Sequence, residues 1–355
     1  MLTRRDALRT IAGAAVGVGL APFVAALPKA RFGLAYTSFV VRLRQGRDIL
    51  KTDAARLDAG AFFELCHGFG AAGGQVDLSQ IVVEDGTSLA ALRRGIDDRG
   101  LFAELSIPAR ALESDAAFDQ VAAIASELGI TRLRVALLSG RRYETFTNRD
   151  AWTAFASHWA DVLQRIKSSI ERHRLQLGIE NHKDWTVSEL ASLLARLDSP
   201  SIGACVDFGN NIAFLEDPMH LVSALAPWAV TTHLKDMAVR RSEAGFELSE
   251  VPLGSGLLPL AAMIDTLRRA KPDLHFCLEM ITRDPLPVPC RADGYWATFG
   301  GRDEARLAAF ERTVLTRAWE EPLPRITGLS PADQLAAENE NVRRSAAYAR
   351  DTLGL

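Results

Sequence analysis

Apolar and polar residues follow two alternating patterns along most of the chain. Short apolar runs typical of buried β-strands are separated by segments with the period of amphipathic helices, from residue 31 to residue 319. The units are roughly 36 residues long and number eight, and such alternation indicates a parallel sheet. We therefore predict an α/β fold, a single (β/α)8 barrel with strands at Arg31–Phe39, Gly74–Ser79, Leu101–Ile107, Arg132–Leu138, Gln176–Lys183, Ile202–Gly209, Val230–Met237 and His275–Thr282.

A last helical pattern, Pro331–Leu353, follows the barrel pattern. It predicts a C-terminal helical extension of residues 321–355 beside a barrel of residues 31–320. Such an appendage packs on the barrel wall or on a second subunit, so a homo-oligomer is compatible with the sequence. Within the barrel, Thr186 followed by Glu189 has the spacing of a helix capping box.

Two connections are longer than the others, Arg240–Gly256 after the seventh predicted strand and Arg283–Arg302 after the eighth. Both lie on the side where barrels place their substrate, and we expect either of them to form a lid. Tyr295 and Trp296, in the second connection, either stack on a sugar or pack against the barrel rim.

Residues 1–30 have the pattern of an export signal. Arg4 and Arg5 precede an uncharged run, Ile11–Ala26, that is rich in glycine and alanine. This arrangement resembles a twin-arginine signal peptide, with Ala7 in place of the usual aromatic residue. It predicts export to the periplasm, cleavage after Ala26, and membrane contact only through the signal, because the run is short for a membrane-spanning helix.

The composition excludes some partners. The chain has 355 residues and a formal charge of -3, and no basic run is interleaved with aromatic residues, so nucleic acid is not an expected partner. The four cysteines contain no CxxC pair, and Cys205 and Cys277 fall in predicted buried strands, so structural disulfides are not implied.

Four residues suited to metal binding stand near the carboxyl ends of the last four predicted strands: Glu180, Asp207, His233 and Glu279. The carboxyl ends of barrel strands meet at the face that carries the chemistry. Carboxylates with one imidazole make an oxygen-rich site suited to hard divalent cations. We therefore predict one divalent metal ion, with Mn²⁺ as the first choice and Mg²⁺, Co²⁺ or Zn²⁺ as alternatives.

Two of these residues also suit proton transfer. A metal ion against a carbonyl and its neighbouring hydroxyl stabilises the enediolate formed when a proton leaves the intervening carbon. Glu180 and Glu279 are placed to act as base and acid on opposite sides of that carbon while also touching the metal. The sequence therefore predicts a metal-dependent isomerase or epimerase acting on a small sugar or keto-sugar.

These residues and their surroundings resemble the xylose isomerase-like TIM-barrel superfamily of sugar isomerases and epimerases, especially the branch with tagatose and psicose 3-epimerases and hydroxypyruvate isomerase. The resemblance covers residues 31–320 and rests on IENH, CVDFGNN, HLKD and CLEM, which contain Glu180, Asp207, His233 and Glu279. It implies that these four residues are the metal ligands and that Glu180 and Glu279 are the catalytic pair.

The sequence departs from the family pattern at Asn210, where many members have a histidine. The segments IENHKDW, DFGNN and EMITRDPLPVP also resemble exported family members that act on 3-keto-glycosides, removing the proton next to the ketone and expelling the aglycone. A 3-keto-glycoside lyase or hydrolase that uses the same metal and carboxylates is therefore the second predicted function.

Four further residues are candidates for substrate binding: His182, Asn210, Lys235 and Arg283. Ion pairs of Lys235 with Asp236 and of Arg283 with Asp284 are the alternative roles. For His182 the alternatives are a hydrogen bond to a metal-bound carboxylate or a structural role at the barrel rim.

Other polar residues near strand ends are more ambiguous. Asp77 and Glu104, from predicted strands two and three, are either functional or structural. The turn at Gly254 and Gly256 is compatible with phosphate binding, but the start of a helix is the favoured interpretation.

Two other functional classes are less compatible with the sequence. An endonuclease of the apurinic-site type needs many histidines for a trinuclear zinc cluster, and only His182 and His233 lie outside predicted helices and strand starts. A non-catalytic exported sugar-binding protein would not require both Glu180 and Glu279.

Overall fold

The computed structural model describes residues 30–48, 57–81 and 88–355, and the predicted export signal lies outside them. In chain order the strands are β1 (Arg31–Ala35), β2 (Gly73–Asp77), β3 (Phe102–Pro108), β4 (Arg132–Ala136), β5 (Gln176–Glu180), β6 (Ile202–Asp207), β7 (Ala229–Leu234), β8 (Asp236–Ser242), β9 (Gly245–Val251), β10 (His275–Leu278) and β11 (Leu286–Val288). The helices are α1 (Val40–Asp48), α2 (Ala59–Gly68), α3 (Leu89–Asp98), α4 (Asp115–Leu128), α5 (Arg142–Thr145), α6 (Arg149–Arg172), α7 (Val187–Leu197), α8 (Pro218–Leu225), α9 (Leu260–Ala270), α10 (Glu304–Thr313) and α11 (Pro331–Asp351).

Eight parallel strands form a closed barrel in the order β1-β10-β7-β6-β5-β4-β3-β2. The predicted (β/α)8 fold is therefore confirmed. Its register places Glu180 beside Cys205 and Asp207 beside His233, so the carboxyl ends of β5, β6 and β7 meet at one face. Glu279 follows β10 directly, and its backbone N–H donates to Leu234 at the end of β7.

Local sequence signals set the ends of the helices that surround the barrel. Thr186 and Glu189 form the predicted capping box at the start of α7. Asn148 caps α6, and Asp217 caps α8 with a proline at the first helical position. These caps fix where each connection leaves the barrel rim and enters its helix.

The structure differs from the prediction after the seventh strand. Residues predicted as a loop form the antiparallel hairpin β8–β9, and β11 from the other long connection pairs with β9. Alternating apolar and polar residues favour the hairpin, and Gly245 allows its tight turn with φ of 152°. Parts of both predicted lids, together with the last residues of the predicted seventh strand, therefore form one three-stranded sheet.

Tyr295 and Trp296 pack against the rim, which was one of the two predicted roles. Both are buried, the Tyr295 hydroxyl donates to the Ala213 carbonyl at 2.8 Å, and the Trp296 indole N–H donates to the Cys290 carbonyl at 2.8 Å. Both rings also pack against Phe299, and because they are buried their faces are not open to stack on a sugar. All four cysteines are free and buried, and burial was predicted for Cys205 and Cys277.

The predicted C-terminal helix is present as α11 and packs against α1. Glu338 of α11 is fully buried, and its carboxylate accepts from the backbone N–H groups of Val41 at 2.6 Å and Arg42 at 3.2 Å. Among the helices of the described residues, none has the length and apolarity needed to cross a membrane.

Candidate metal centre

Ligand atoms of Glu180, Asp207, His233 and Glu279 lie within 4.8 Å of one another, and all four side chains are buried. We call these residues the four-residue cluster. Nδ1 of His233 lies 3.5 Å from Glu180 Oε2, 3.8 Å from Asp207 Oδ2 and 3.3 Å from Glu279 Oε1. Three carboxylates and an imidazole nitrogen therefore converge on one small volume.

The tautomer of His233 follows from the residues below it in the barrel. Glu104 is buried, and burial raises its pKa. Hydrogen bonds from His275 and Thr231 outweigh burial, so the net pKa of Glu104 is lowered and its carboxylate is an ionised acceptor. Gln75 must therefore direct its NH₂ group to Glu104 Oε2, at 3.2 Å, and its carbonyl to His233 Nε2, at 2.8 Å. Nε2 carries the proton, which leaves Nδ1 facing the carboxylates.

This arrangement leaves a buried polar atom that needs a cation. Among the described residues, His233 Nδ1 has no partner in hydrogen-bonding geometry. Burial lowers the pKa of His233, but the carboxylates of Glu279 and Glu180 outweigh burial and raise the pKa to about 9. A proton on Nδ1 or a divalent cation would offset the same negative charge, so the cluster fits a metal ion.

Two basic side chains also offset the charge of the cluster. Arg134 of β4 is buried, and its Nε lies 2.5 Å from Glu180 Oε2 in a paired contact that includes a second guanidinium nitrogen. Lys235 lies 2.7 Å from Asp207 Oδ2 and also contacts Glu279 Oε2. The charges of Arg134 and of protonated His233 lower the pKa of Glu180 against the opposing effect of burial, and those of protonated His233 and Lys235 do the same for Glu279, so both carboxyl groups are ionised.

Asp207 differs from its neighbours in the cluster. Burial raises its pKa to about 6, and its Oδ1 accepts from the backbone N–H groups of Gly209 and Asn210 at 2.9 and 2.8 Å. These two bonds hold one oxygen at the end of β6 and leave the other directed to the cluster. Thr37, on the turn after β1, similarly donates to Glu279 Oε1 at 2.9 Å.

The four predicted substrate-binding residues lie near the carboxyl ends of the barrel strands, and their side chains have different partners. Asn210 donates to Glu180 Oε1 at 3.0 Å, and Lys235 contacts the cluster directly. His182 is partly buried, and its Nδ1 pairs with the Leu138 carbonyl at 2.9 Å. Arg283 pairs with both oxygens of Glu250, at 2.5 and 3.2 Å, so its guanidinium is already engaged.

The alternative ion pairs expected for Lys235 and Arg283 were wrong. Asp236 instead accepts from the backbone N–H groups of Gly254 and Gly256, at 3.0 and 2.9 Å. A carboxylate therefore already occupies the turn that is compatible with phosphate, and the helix that follows, α9, begins later in the chain, at Leu260. Asp284 accepts from the backbone of Ile326, at 2.7 Å, and not from Arg283.

Lys183, three residues after the end of β5, was not predicted as a site residue. It is 3% exposed and has φ of 54°, a left-handed conformation that costs a residue with a side chain roughly 1–2 kcal/mol. Its ammonium donates to Asn210 Oδ1. Burial, with Lys235 and Arg283 nearby, lowers its pKa to about 8. A strained, buried cation beside a charged cluster is an outlier that points to function.

Two cavities lie near the rim. The larger, of about 690 Å³, is lined by Trp152, Glu189 and Phe299 between α6 and α7 and includes none of the four-residue cluster. The other, of about 560 Å³, is lined by Tyr36, Ser106 and Arg134 at the carboxyl ends of β1 to β4. The lining of this second cavity also includes none of the four-residue cluster, but its Arg134 contacts Glu180, and it lies at the face where barrels bind substrate.

Sequence reasoning missed Arg134 and Gln75 as well as Lys183. An arginine or glutamine at an inward-facing strand position is a usable signal, because buried polar side chains require partners. Asp77, one of the ambiguous residues, lines the cavity and caps the turn after β2. Glu104 lies below His233 and is connected to the four-residue cluster through Gln75.

Two curated relatives match part of the chain. The 3-oxo-isoapionate decarboxylase of Pectobacterium atrosepticum is 32% identical over 139 residues, which are 38% of this chain and 50% of that protein. The uncharacterized protein YihM of Escherichia coli is 28% identical over 152 residues, 43% of this chain and 44% of that protein. The matches thus span about half the length of each relative.

Solved structures share the fold at low sequence identity. A D-psicose 3-epimerase has a TM-score of 0.59 and 14% identity, with 92% of this chain and 100% of that chain covered. A xylose isomerase-like protein from Mycobacterium smegmatis in complex with magnesium has a TM-score of 0.56 and 13% identity, covering 80% and 98%. The 3-keto-D-glucoside 4-epimerase of Escherichia coli has a TM-score of 0.52 and 14% identity, covering 80% and 100%.

A family model described as xylose isomerase-like TIM barrel matches residues 54–298, more than half of the chain. The match includes Glu180, Asp207, His233 and Glu279. The chain therefore belongs to the xylose isomerase-like TIM barrel family.

Proposed function

We propose that this protein is a divalent-metal-dependent enzyme that removes a proton next to the carbonyl of a sugar, as a sugar isomerase or epimerase does. The observation that supports this most directly is the convergence of three buried carboxylates on His233 Nδ1, at 3.3 to 3.8 Å. The epimerases among the structural neighbours share this fold.

In this proposal Glu180, Asp207, His233 and Glu279 hold the metal ion. Mn²⁺ is the first choice, and Mg²⁺, Co²⁺ or Zn²⁺ would fit the same oxygen-rich donors. When bound, the ion supplies Lewis-acid stabilisation of the negative charge that develops on a carbonyl oxygen.

The protein's own groups supply the proton transfers. Glu180 and Glu279 are both ionised, so either carboxylate is able to accept a proton from the carbon next to the carbonyl. Delivery of that proton by the same carboxyl group to the former carbonyl carbon, with one proton moving between the two oxygens, gives isomerisation. Protonation of the original carbon from the opposite face by the other carboxyl group, which first takes a proton from solvent, gives epimerisation, and the first group then releases its proton to solvent. Arg134 and Lys235 hold the two carboxylates in place.

The decarboxylase relative favours a second candidate reaction, loss of CO₂ from a 3-oxo sugar acid. The bond between the carboxylate carbon and the α-carbon breaks, its electron pair moves toward the 3-oxo group, and a carboxyl group of the enzyme then protonates the α-carbon. The same pair, Glu180 and Glu279, would supply that proton. Elimination of an aglycone from a 3-keto-glycoside remains a third route from the same deprotonated carbon.

The proposal is tested by NMR of the Mn²⁺-treated and Mg²⁺-treated protein with ketoses, aldoses, 3-keto-glucosides and 3-oxo sugar acids in D₂O. We expect metal-dependent deuterium incorporation next to the carbonyl, with the products identifying isomerisation, elimination or decarboxylation. Glu279→Gln should lower the rate by roughly 100-fold or more, because a positioned acid or base contributes about that factor.

Glu338→Gln is the matched control, since Glu338 is another buried glutamate that accepts hydrogen bonds but lies on α11. It should retain the rate of the unmodified protein. Absence of exchange with every substrate class, or equal rates in Glu279→Gln and Glu338→Gln, would contradict the proposal.

A further inference from the structure

Lys183 occupies a position where glycine would be less strained. It has φ of 54° and lies three residues after the end of β5. Its backbone carbonyl accepts from the Arg142 N–H at 2.9 Å. On either side, the N–H groups of His182 and Trp185 donate to Asp184 Oδ1 at 2.9 and 2.8 Å. The backbone is therefore fixed by bonds that do not use the Lys183 side chain.

The Lys183 ammonium lacks the kind of partner that the neighbouring cations have. Arg134 pairs with Glu180, Lys235 pairs with Asp207 and Glu279, and Arg283 pairs with Glu250. Among the described residues, Lys183 forms no ion pair, and the neutral amide oxygen of Asn210 is its hydrogen-bond acceptor. An ammonium has three donors, so two remain for another group.

Charge near the four-residue cluster also favours an anion. Four carboxylates, Glu180, Asp207, Glu250 and Glu279, face four cations, Arg134, Lys183, Lys235 and Arg283. A divalent metal ion would leave this set positive by two charges. Asp184 is buried nearby, but burial raises its pKa to about 7, so it offsets at most part of that charge.

From this geometry we propose that Lys183 binds a carboxylate of the substrate, so that the substrate is a keto-sugar acid and not a neutral sugar. The same Asn210 side chain contacts both Glu180 and the Lys183 ammonium, which connects the proposed anion site to the proposed base. This inference rests on the proposed function and specifies its substrate class.

A carboxylate fits this site better than a phosphate does. One lysine with two remaining donors matches a singly charged group. The backbone N–H groups of Gly254 and Gly256, which would suit a phosphate, already donate to Asp236.

The test compares the Mn²⁺-loaded full chain with Lys183→Met and Lys183→Gly by calorimetric titration. The probes are D-fructose, D-fructuronate, in which a carboxylate replaces the terminal CH₂OH, and D-fructose 6-phosphate. We expect fructuronate to bind roughly 10-fold to 100-fold more tightly than fructose, the range for a hydrogen bond to a charged group, and both variants to lose that preference.

Thermal unfolding separates ligand binding from a structural role. Lys183→Gly relieves the positive φ, so its melting temperature should equal or exceed that of the unmodified protein. Arg174→Gly is the matched control, because Arg174 has φ of 55° but is exposed at the opposite end of β5. It should retain the preference for fructuronate.

In the unmodified protein fructuronate must bind more tightly than fructose, and equal or weaker binding of fructuronate overturns the inference. Tighter binding of the phosphate would reject the carboxylate assignment, and a large fall in the melting temperature of Lys183→Gly would assign the lysine to folding. If fructose exchanges deuterium and binds as well as fructuronate does, the proposed function stands and this inference fails.

Discussion

Gln75→Met should weaken metal binding without altering any proposed ligand. Gln75 is fully buried, accepts from His233 Nε2 at 2.8 Å and donates to Glu104 Oε2 at 3.2 Å. Methionine has a similar shape but provides neither bond. His233 then loses the acceptor that keeps its proton on Nε2, so Nδ1 is no longer fixed as the nitrogen that faces the carboxylates.

The size of the effect follows from these two bonds. Leaving the buried His233 N–H without an acceptor costs about 1–3 kcal/mol of stability. Glu104 keeps its bonds to Thr231 and His275, so its own loss is smaller. Loss of a partner that orients a metal-binding histidine typically lowers metal affinity by about 10-fold to 100-fold, or roughly 1.4–2.7 kcal/mol.

Gln80→Met is the matched control, because Gln80 is also a buried glutamine with two hydrogen bonds. Its NH₂ group donates to the Leu57 carbonyl and its carbonyl accepts from the Asp77 N–H, each at 3.0 Å, and neither partner belongs to the four-residue cluster. Both variants should lose stability in denaturant titrations, but only Gln75→Met should bind Mn²⁺ more weakly in calorimetry. Nitrogen NMR of His233 in the Mg²⁺-treated proteins should show the Nε2–H form in the control and a mixture in Gln75→Met. Equal Mn²⁺ affinity in the two variants would refute this reasoning.

Two further predictions concern buried charge. Arg134→Met leaves Glu180 without its guanidinium partner, so the metal-free protein should lose about 3–5 kcal/mol of stability, and Mn²⁺ should restore most of that stability. Denaturant titrations with Mn²⁺ and with chelator measure the two losses. Equal losses in both conditions would contradict the prediction. Burial raises the pKa of Glu338 to about 7, so the folded state retains a proton that the unfolded chain releases near the ordinary value of 4.5. The contribution of Glu338 to the free energy of unfolding is therefore fully present below pH 4.5. It is lost as pH rises toward 7, and the loss is on the order of 3 kcal/mol. Glu338→Gln should remove that part of the pH dependence, and identical stability profiles for the two proteins would reject the assignment.

The fold was predictable because its signals are local and periodic. Strands that are apolar throughout alternate with amphipathic helices, and capping residues such as Thr186 mark where helices begin. The hairpin β8–β9 was missed because its residues follow β7 almost immediately, and a strand pattern next to another strand pattern does not show where the first one ends. Pairing with β11, far along the chain, also defines that sheet.

The amino-acid sequence alone predicted the (β/α)8 barrel and singled out Glu180, Asp207, His233 and Glu279, because the carboxyl ends of barrel strands meet at one face. Which charged side chains contact one another became visible in the folded barrel. Arg134 contacts Glu180 across 46 residues, Gln75 contacts His233 across 158 residues, and Lys183 lacks a carboxylate partner among the described residues. Barrel closure brings strands together that are distant in the chain, and spacing in a single sequence does not encode which of their side chains will touch.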